Sequence, residues 1–213
     1  MGFKYPCFIS YCHGQKDLIS RFISEFKDNL NSSLEPYFDE EVFVDSDRLI
    51  PGYKYNIALS KAICQSLCMI VVYIPRYEQH EYCRKEFAAM ESLEETRFGL
   101  MQEVNNNQYW MIIPVILRGD KKKLPKKIVK SIHYADFSQY TTASNKLGKD
   151  KDGVKKIEKI AHYIYDLSET IDDYSDRIFS NCDAFRLPEN VPMWRDKIIK
   201  QQFPGKWENR KRL

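Results

Sequence analysis

Residues 67–75 read LCMIVVYIP: eight apolar or aromatic side chains in succession, with no charge and no alternation, closed by a proline. A membrane-spanning helix needs roughly 20 apolar residues, so this run is far too short to be one. A strand with apolar residues on both faces is a central parallel strand covered by helices on either side. The flanking sequence agrees. Upstream, a helical pattern runs from about Asn56 through Ile57, Ala58, Ala62 and Ile63 to Gln65, and PCFISYC (Pro6 to Cys12) is a compact apolar strand. After that strand, Leu18, Phe22, Phe26 and Leu30 recur every fourth residue from Lys16 to about Leu30, the period of a helix buried along one face. VFVDSD (Val42 to Asp47) reads as a second strand, followed by a loop with a Pro51-Gly52 turn signal. Downstream of Pro75 come a helix from about Gln79, a strand WMIIPVIL (Trp110 to Leu117), a weaker strand IHYADF (Ile132 to Phe137), and a last helix. That helix sets Val154, Ile157, Ile160, Ala161 and Ile164 on one face. Strands alternating with helices predict an α/β fold: a flavodoxin-like, doubly wound parallel sheet of five strands with helices on both faces.

The chain has 213 residues, 43% of them hydrophobic and 14% aromatic, which suits one folded domain and excludes a disordered chain. We place that domain at residues 1–170, with 171–213 as an extension that packs on it and ends in a frayed basic tail. A net charge of +3 demands neither nucleic acid nor an anionic membrane as partner. The lysine-rich run from Lys121 to Lys130 lacks the interleaved aromatics of a nucleic-acid reader. The N-terminus shows no secretory pattern, and Pro6 stands where a myristoylation signal needs Ser or Thr, so the expected location is cytoplasmic. Cys7, Cys12, Cys64, Cys68, Cys83 and Cys182 form no CxxC pair, and the expectation is six buried thiols with no disulfide. His13, His80, His133 and His162 lack metal-ligand spacing, so neither a metal nor a cofactor is expected.

QHEYCRKEFAAME (79–91) contains the candidate for chemistry. Cys83, Phe87 and Met90 make an apolar stripe, and Glu86 borders it with no Lys or Arg at helical-pair spacing. Ligands of open parallel sheets bind beyond the carboxyl ends of the strands, where helix N-termini converge. Side chains in the first turns of a helix tilt back toward that end. Glu86 and Tyr82 would share this rim with Ser10, Tyr11 and His13 after the first strand and with Asp45, Asp47 and Arg48 after the second. Cys83, inside the stripe, reads as core.

FISYCHGQKD resembles the first box of Toll/interleukin-1 receptor (TIR) domains, and DRLIPGYKYNIALSKAICQS resembles their second box, the BB loop and following helix. EYCRKEF is similar to the segment of enzymatic TIR domains in which an aromatic residue precedes the catalytic glutamate by four positions, though those members commonly carry Trp where this chain has Tyr82. The resemblance spans about Tyr5 to Leu167, with the boxes in order. It implies cleavage of the nicotinamide–ribose bond of NAD to give nicotinamide and ADP-ribose or a cyclic ADP-ribose. The implied roles are Glu86 as catalytic, Ser10, Tyr11, His13, Asp45, Arg48 and Tyr82 as substrate contacts, and Arg48, Pro51 and Gly52 as the loop that gates and self-associates. In style the chain resembles stand-alone bacterial TIR proteins of antiphage defence, Thoeris-like, whose product acts on a separate effector protein. The alternative within the family is a non-enzymatic adaptor working through TIR–TIR contacts. A phosphoacceptor receiver of similar fold would need an aspartate where this chain has YIPRY, and a nucleoside-processing transferase would also place a carboxylate on a ribose.

Overall fold

In the computed structural model β1 (Tyr5–Tyr11) pairs in parallel with β2 (Ser66–Tyr73), in register from Tyr5 opposite Ser66 to Tyr11 opposite Val72. β2 pairs in turn with β3 (Ile112–Ile116), and β3 with the two-residue β4 (Ala135–Asp136), again in parallel. The residues described are 2–13, 17–44, 55–100, 109–129, 134–141, 146–172 and 181–194. Every residue of β2 is buried, which is what an apolar run without alternation requires of a central strand.

Among the described residues the sheet has four strands, where the sequence predicted five. The segment expected as the second strand contributes a single parallel bridge, Phe43 to Phe8, in which the Phe43 N–H bonds the Cys7 carbonyl at 2.8 Å and the Ile9 N–H bonds Phe43 at 2.9 Å. Residues 45–47 of that segment lie outside the described residues. Phe43 lies on the side of β1 away from β2. The connectivity therefore reverses at β1, and a reversal point of this kind is where open α/β sheets bind ligands.

Two helix layers enclose the sheet. On one side α1 (Asp17–Leu34) lies against the last long helix, α5 (Lys151–Asp172), and on the other α2 (Tyr55–Gln65) lies against α3 (Glu81–Leu100). A single helical turn, α4 (Lys126–Val129), falls between β3 and β4. The four-residue period of α1 buries Phe22, Phe26 and Leu30, and the rings of Phe22 and Phe26 meet Phe137 edge-on at 5.9 and 5.5 Å. Each such side chain contributes about 1.5–3 kcal/mol on burial. On α3 the stripe of Cys83, Phe87 and Met90 is buried as its spacing predicts.

The far end of α3 carries two buried charges. The Arg97 guanidinium, 2% exposed, donates to the carbonyls of Cys64 at 2.6 Å and Ser66 at 3.0 Å and lies 4.7 Å from the Phe3 ring. It thereby supplies donors to the carbonyls left over where α2 ends and β2 begins. Desolvation lowers its pKa only to about 10, so it stays charged. One turn earlier, Glu94 accepts the Met111 N–H at 2.6 Å, and burial raises its carboxyl to about 7. Its unfolded value is near 4.3, so the native state holds the extra proton between the two and stability falls as pH rises from about 4.3 to 7. Glu94→Gln keeps the acceptor oxygen and removes the titration. Urea midpoints of the wild type should therefore drop between pH 5 and 8, whereas those of Glu94→Gln should lack this component. Parallel pH profiles for the two proteins would refute it.

The cysteine expectation needs correction. Cys64 and Cys182 form a disulfide, while Cys7, Cys12, Cys68 and Cys83 are free and buried. The partners are 118 residues apart, a pairing that no local spacing could signal. Cys64 sits in α2, and Cys182 begins a stretch of irregular chain, residues 181–194, that runs back across α2 and α3. Its other contacts are the ion pair Lys61–Asp183 at 2.7 Å, the Leu187 N–H on the Ser60 hydroxyl at 2.9 Å, and the Arg84 Nε on the Val191 carbonyl at 3.5 Å. Among the described residues no helix is long and apolar enough to cross a membrane.

Candidate functional site

Ser10 is the sixth residue of β1, close to its carboxyl end, and its side chain is 1% exposed. The Ser10 hydroxyl donates to Glu86 Oε2 at 2.5 Å and lies 2.6 Å from the Tyr77 hydroxyl. A serine has one proton to give, so with that proton on Glu86 the Tyr77 hydroxyl must be the donor to Ser10. The result is a directed chain, Tyr77 to Ser10 to Glu86, in which each bond polarises the next. Burial, the neighbouring Cys83 and the Glu86 carboxylate hold the Tyr77 phenol well above its ordinary pKa, which keeps it a neutral donor.

Local sequence explains the placement. Pro75 follows β2, and the Tyr77 N–H turns back onto the Ile74 carbonyl at 2.8 Å, starting a single helical turn at Tyr77–Gln79. That turn aims the Tyr77 ring inward beneath the start of α3. Glu86 lies in the second turn of α3 and reaches back to the end of β1, as the tilt of helical side chains requires. Tyr77 was missed at the sequence level because an aromatic just past a strand looks like ordinary packing. Its only signal was its position on the same rim.

Of the other candidates, Tyr82, Tyr11 and His13 are among the described residues. Tyr82, one turn before Glu86, is 36% exposed, and its ring meets exposed Tyr55 edge-on at 5.4 Å. These two tyrosines form an aromatic ledge at the starts of α2 and α3. Tyr11 is buried and stacks at 4.4 Å on the exposed His13 ring. Asp45, Arg48, Pro51 and Gly52 lie outside the described residues, as does Asp47. Cys83, read as core, is buried and donates to the Tyr11 carbonyl at 3.5 Å. The neighbouring Cys83 side chain, with Arg76 and His13 nearby, brings the Cys12 thiol down to about 6.

Glu86 itself is 5% exposed, so the carboxylate is sheathed by its neighbours. Cavities of about 360 and 530 Å³ open elsewhere, the first at the amino ends of β1 and β2 beside Phe3, Tyr5 and Tyr37, the second beside the end of α1. Neither is lined by Ser10, Tyr82 or Glu86. Among the described residues no group of three or more His, Cys, Asp or Glu side chains converges on a point where a metal ion could be held.

Chemically, the cluster offers one buried carboxylate with an oriented hydroxyl chain behind it and an aromatic ledge in front. It lies at the carboxyl edge of a parallel sheet beside the reversal point.

No curated protein matches the chain. Among solved structures, the TIR domain of the Toll-related receptor TRR-2 of Hydra magnipapillata is 20% identical, over 63% of this chain and 86% of its own, with a TM-score of 0.41. The TIR domains of the activated Roq1 resistosome, which directly recognizes the pathogen effector XopQ, are 19% identical over 83% of this chain and 100% of theirs, with a TM-score of 0.42. The family model for the TIR domain matches residues 7–149, from β1 to the start of α5, which is well over half of the chain. By that match, this chain belongs to the TIR domain family.

Proposed function

We propose that this TIR domain is an enzyme that cleaves the nicotinamide–ribose bond of NAD, with Glu86 as the catalytic residue. The observation that carries the reading is the 2.5 Å bond between Ser10 and Glu86 at the carboxyl end of β1. A carboxylate held in that position by a neutral donor chain suits a reaction in which positive charge grows on a ribose.

The chemistry needs only one carboxyl group. The C1′–N bond breaks with its electron pair passing to the pyridinium nitrogen, so nicotinamide departs neutral and no acid has to protonate it. Ordinary glycoside hydrolysis differs, because there a pair of carboxyls shares the work. What remains is to hold the ribose hydroxyls and stabilise an oxocarbenium-like transition state, and an anion at Glu86 does both. Capture of the sugar by water gives ADP-ribose and a proton. Capture by an atom of the same ADP-ribose gives a cyclic product. Tyr82 and Tyr55 supply the surface on which a base stacks.

Glu86 is sheathed in the single chain, and substrate must therefore reach it through movement at the rim. Self-association through TIR surfaces is the trigger we assign, in a cytoplasmic defence role in which the product acts on a separate effector. The test is nicotinamide release from NAD by the purified chain at dilute and high concentration, with the products weighed by mass spectrometry. Release that rises faster than protein concentration is expected. Absence of release at both would favour the adaptor reading.

Ser10→Ala removes the link between Tyr77 and Glu86 but leaves the carboxylate in place. We expect kcat to fall by about 10–100-fold, the range of one positioned hydrogen bond, with a smaller change in KM. An unchanged kcat would show that the chain is only structural.

A further inference from the structure

We propose that the Cys64–Cys182 disulfide is a redox latch on the Glu86 site. It holds residues 181–194 so that Trp194 backs Tyr77 and keeps the Tyr77–Ser10–Glu86 chain aligned. The turnover arm of this proposal rests on the NAD reading above; the structural arm does not.

The path is continuous. From Cys182 the segment crosses α2 at Lys61 and Ser60, passes Arg84 of α3, and delivers the Trp194 ring 4.7 Å from Phe87 and 5.8 Å from Tyr77. Tyr77 is fully buried, and Trp194 and Tyr73 are the rings beside it, the latter at 6.4 Å. Tyr77 therefore stands between Trp194 and Ser10, with Glu86 one bond further. The Trp194 ring meets Tyr77 and Phe87, whereas the Tyr82 and Tyr55 rings meet each other.

Apart from the disulfide, the segment is held by the partly buried Phe185, Leu187 and Trp194, which pack against the core, and by a few polar contacts. Lys61 and Asp183 are both well exposed, and ion pairs of that kind contribute little. The Leu187 bond is single, the Arg84 contact is long, and Trp194 is only half-buried. The disulfide keeps these contacts at high effective concentration, and that concentration falls once the crosslink is cut and only the peptide connection to α5 remains. Cys182 lies in the partly exposed segment while Cys64 is buried, so a reductant meets Cys182 first.

The step balances with a dithiol as co-reactant. Its thiolate attacks the Cys182 sulfur, the S–S bond breaks, and Cys64 leaves as a thiolate that takes up a proton. The second thiol of the reductant then displaces Cys182, so two electrons and two protons pass to the protein and the reductant becomes a disulfide. The oxidised form is the aligned one, and the reduced form loses the support behind Tyr77.

The experiment compares the full chain with and without dithiothreitol, the redox state being verified by mass, alongside Cys182→Ser, Trp194→Phe and Trp194→Ala. Amide hydrogen exchange of the peptides covering 181–194 and 77–87 is the first readout. Reduction should raise exchange by about tenfold in 181–194, where the Leu187 amide reports directly, and measurably in 77–87. Cys182→Ser should match the reduced protein with or without dithiothreitol. Nicotinamide release is the second readout: kcat should fall about tenfold on reduction with KM nearly unchanged, Trp194→Phe should keep the oxidised rate, and Trp194→Ala should mimic reduction. Exchange that is unchanged in fully reduced protein overturns the latch. So does a freed segment with unchanged turnover. If no form releases nicotinamide, the NAD reading fails, and exchange alone decides: a rise in both segments supports the latch and no rise in 77–87 overturns it.

Discussion

Replacing Glu86 with glutamine is expected to lower nicotinamide release by about a thousandfold, the upper range for removing one electrostatic stabiliser of a transition state. The side chain keeps its shape and an amide oxygen that can accept from Ser10, so the 2.5 Å contact and the packing of α3 should persist. What disappears is the negative charge beside the developing oxocarbenium. That loss falls on kcat far more than on KM, because the charge acts mainly once the C1′–N bond has begun to break. Circular dichroism and the melting temperature should match the wild type. A variant that folds normally and keeps more than about a tenth of the rate would remove Glu86 from the catalytic role.

The largest effect on stability is expected at Arg97. Arg97→Met fills similar space but withdraws the donors from the carbonyls of Cys64 and Ser66. Each charged hydrogen bond is worth about 1.5–3 kcal/mol, and the acceptors would stay buried. Part of this is offset because the desolvated guanidinium, whose Nε has no hydrogen-bond partner among the described residues, is no longer buried. A net loss of about 3 kcal/mol follows, or roughly 1.5 M in the urea midpoint at a typical slope of about 2 kcal/mol per molar. The effect should be nearly the same at pH 6 and 8, since the Arg97 pKa of about 10 lies above both. A midpoint shift below about 0.3 M would mean that water replaces the guanidinium without cost.

How much of this was legible depended on whether the signal was local. The wholly apolar β2, the four-residue period of α1 and the Cys83–Phe87–Met90 stripe each carry their burial in adjacent residues, and each lies in the expected element. Of the two weaker expected strands, the described residues show Ala135–Asp136 as β4 and one bridge at Phe43, while residues 132–133 and 45–47 lie outside the described residues. The disulfide was illegible because its partners meet only after the whole sheet has formed. At the site, Ser10 and Glu86 could be placed on one rim by topology alone, whereas Tyr77 and Trp194 could not. The role of an aromatic ring is set by what it faces, and 77 and 194 face each other across more than a hundred residues.

The parallel pairing of β1 with β2 also governs how the chain comes off the ribosome. Tyr5 has no partner strand until Ser66 has been made, and the connection between parallel strands cannot be shortened to a hairpin. At about 5–20 residues per second, the apolar β1 waits several seconds after synthesis before β2 can join it, with the single bridge at Phe43 within reach sooner. During that interval YPCFISY is the segment most in need of shelter from other nascent chains, and a chaperone that binds short apolar stretches would find it first.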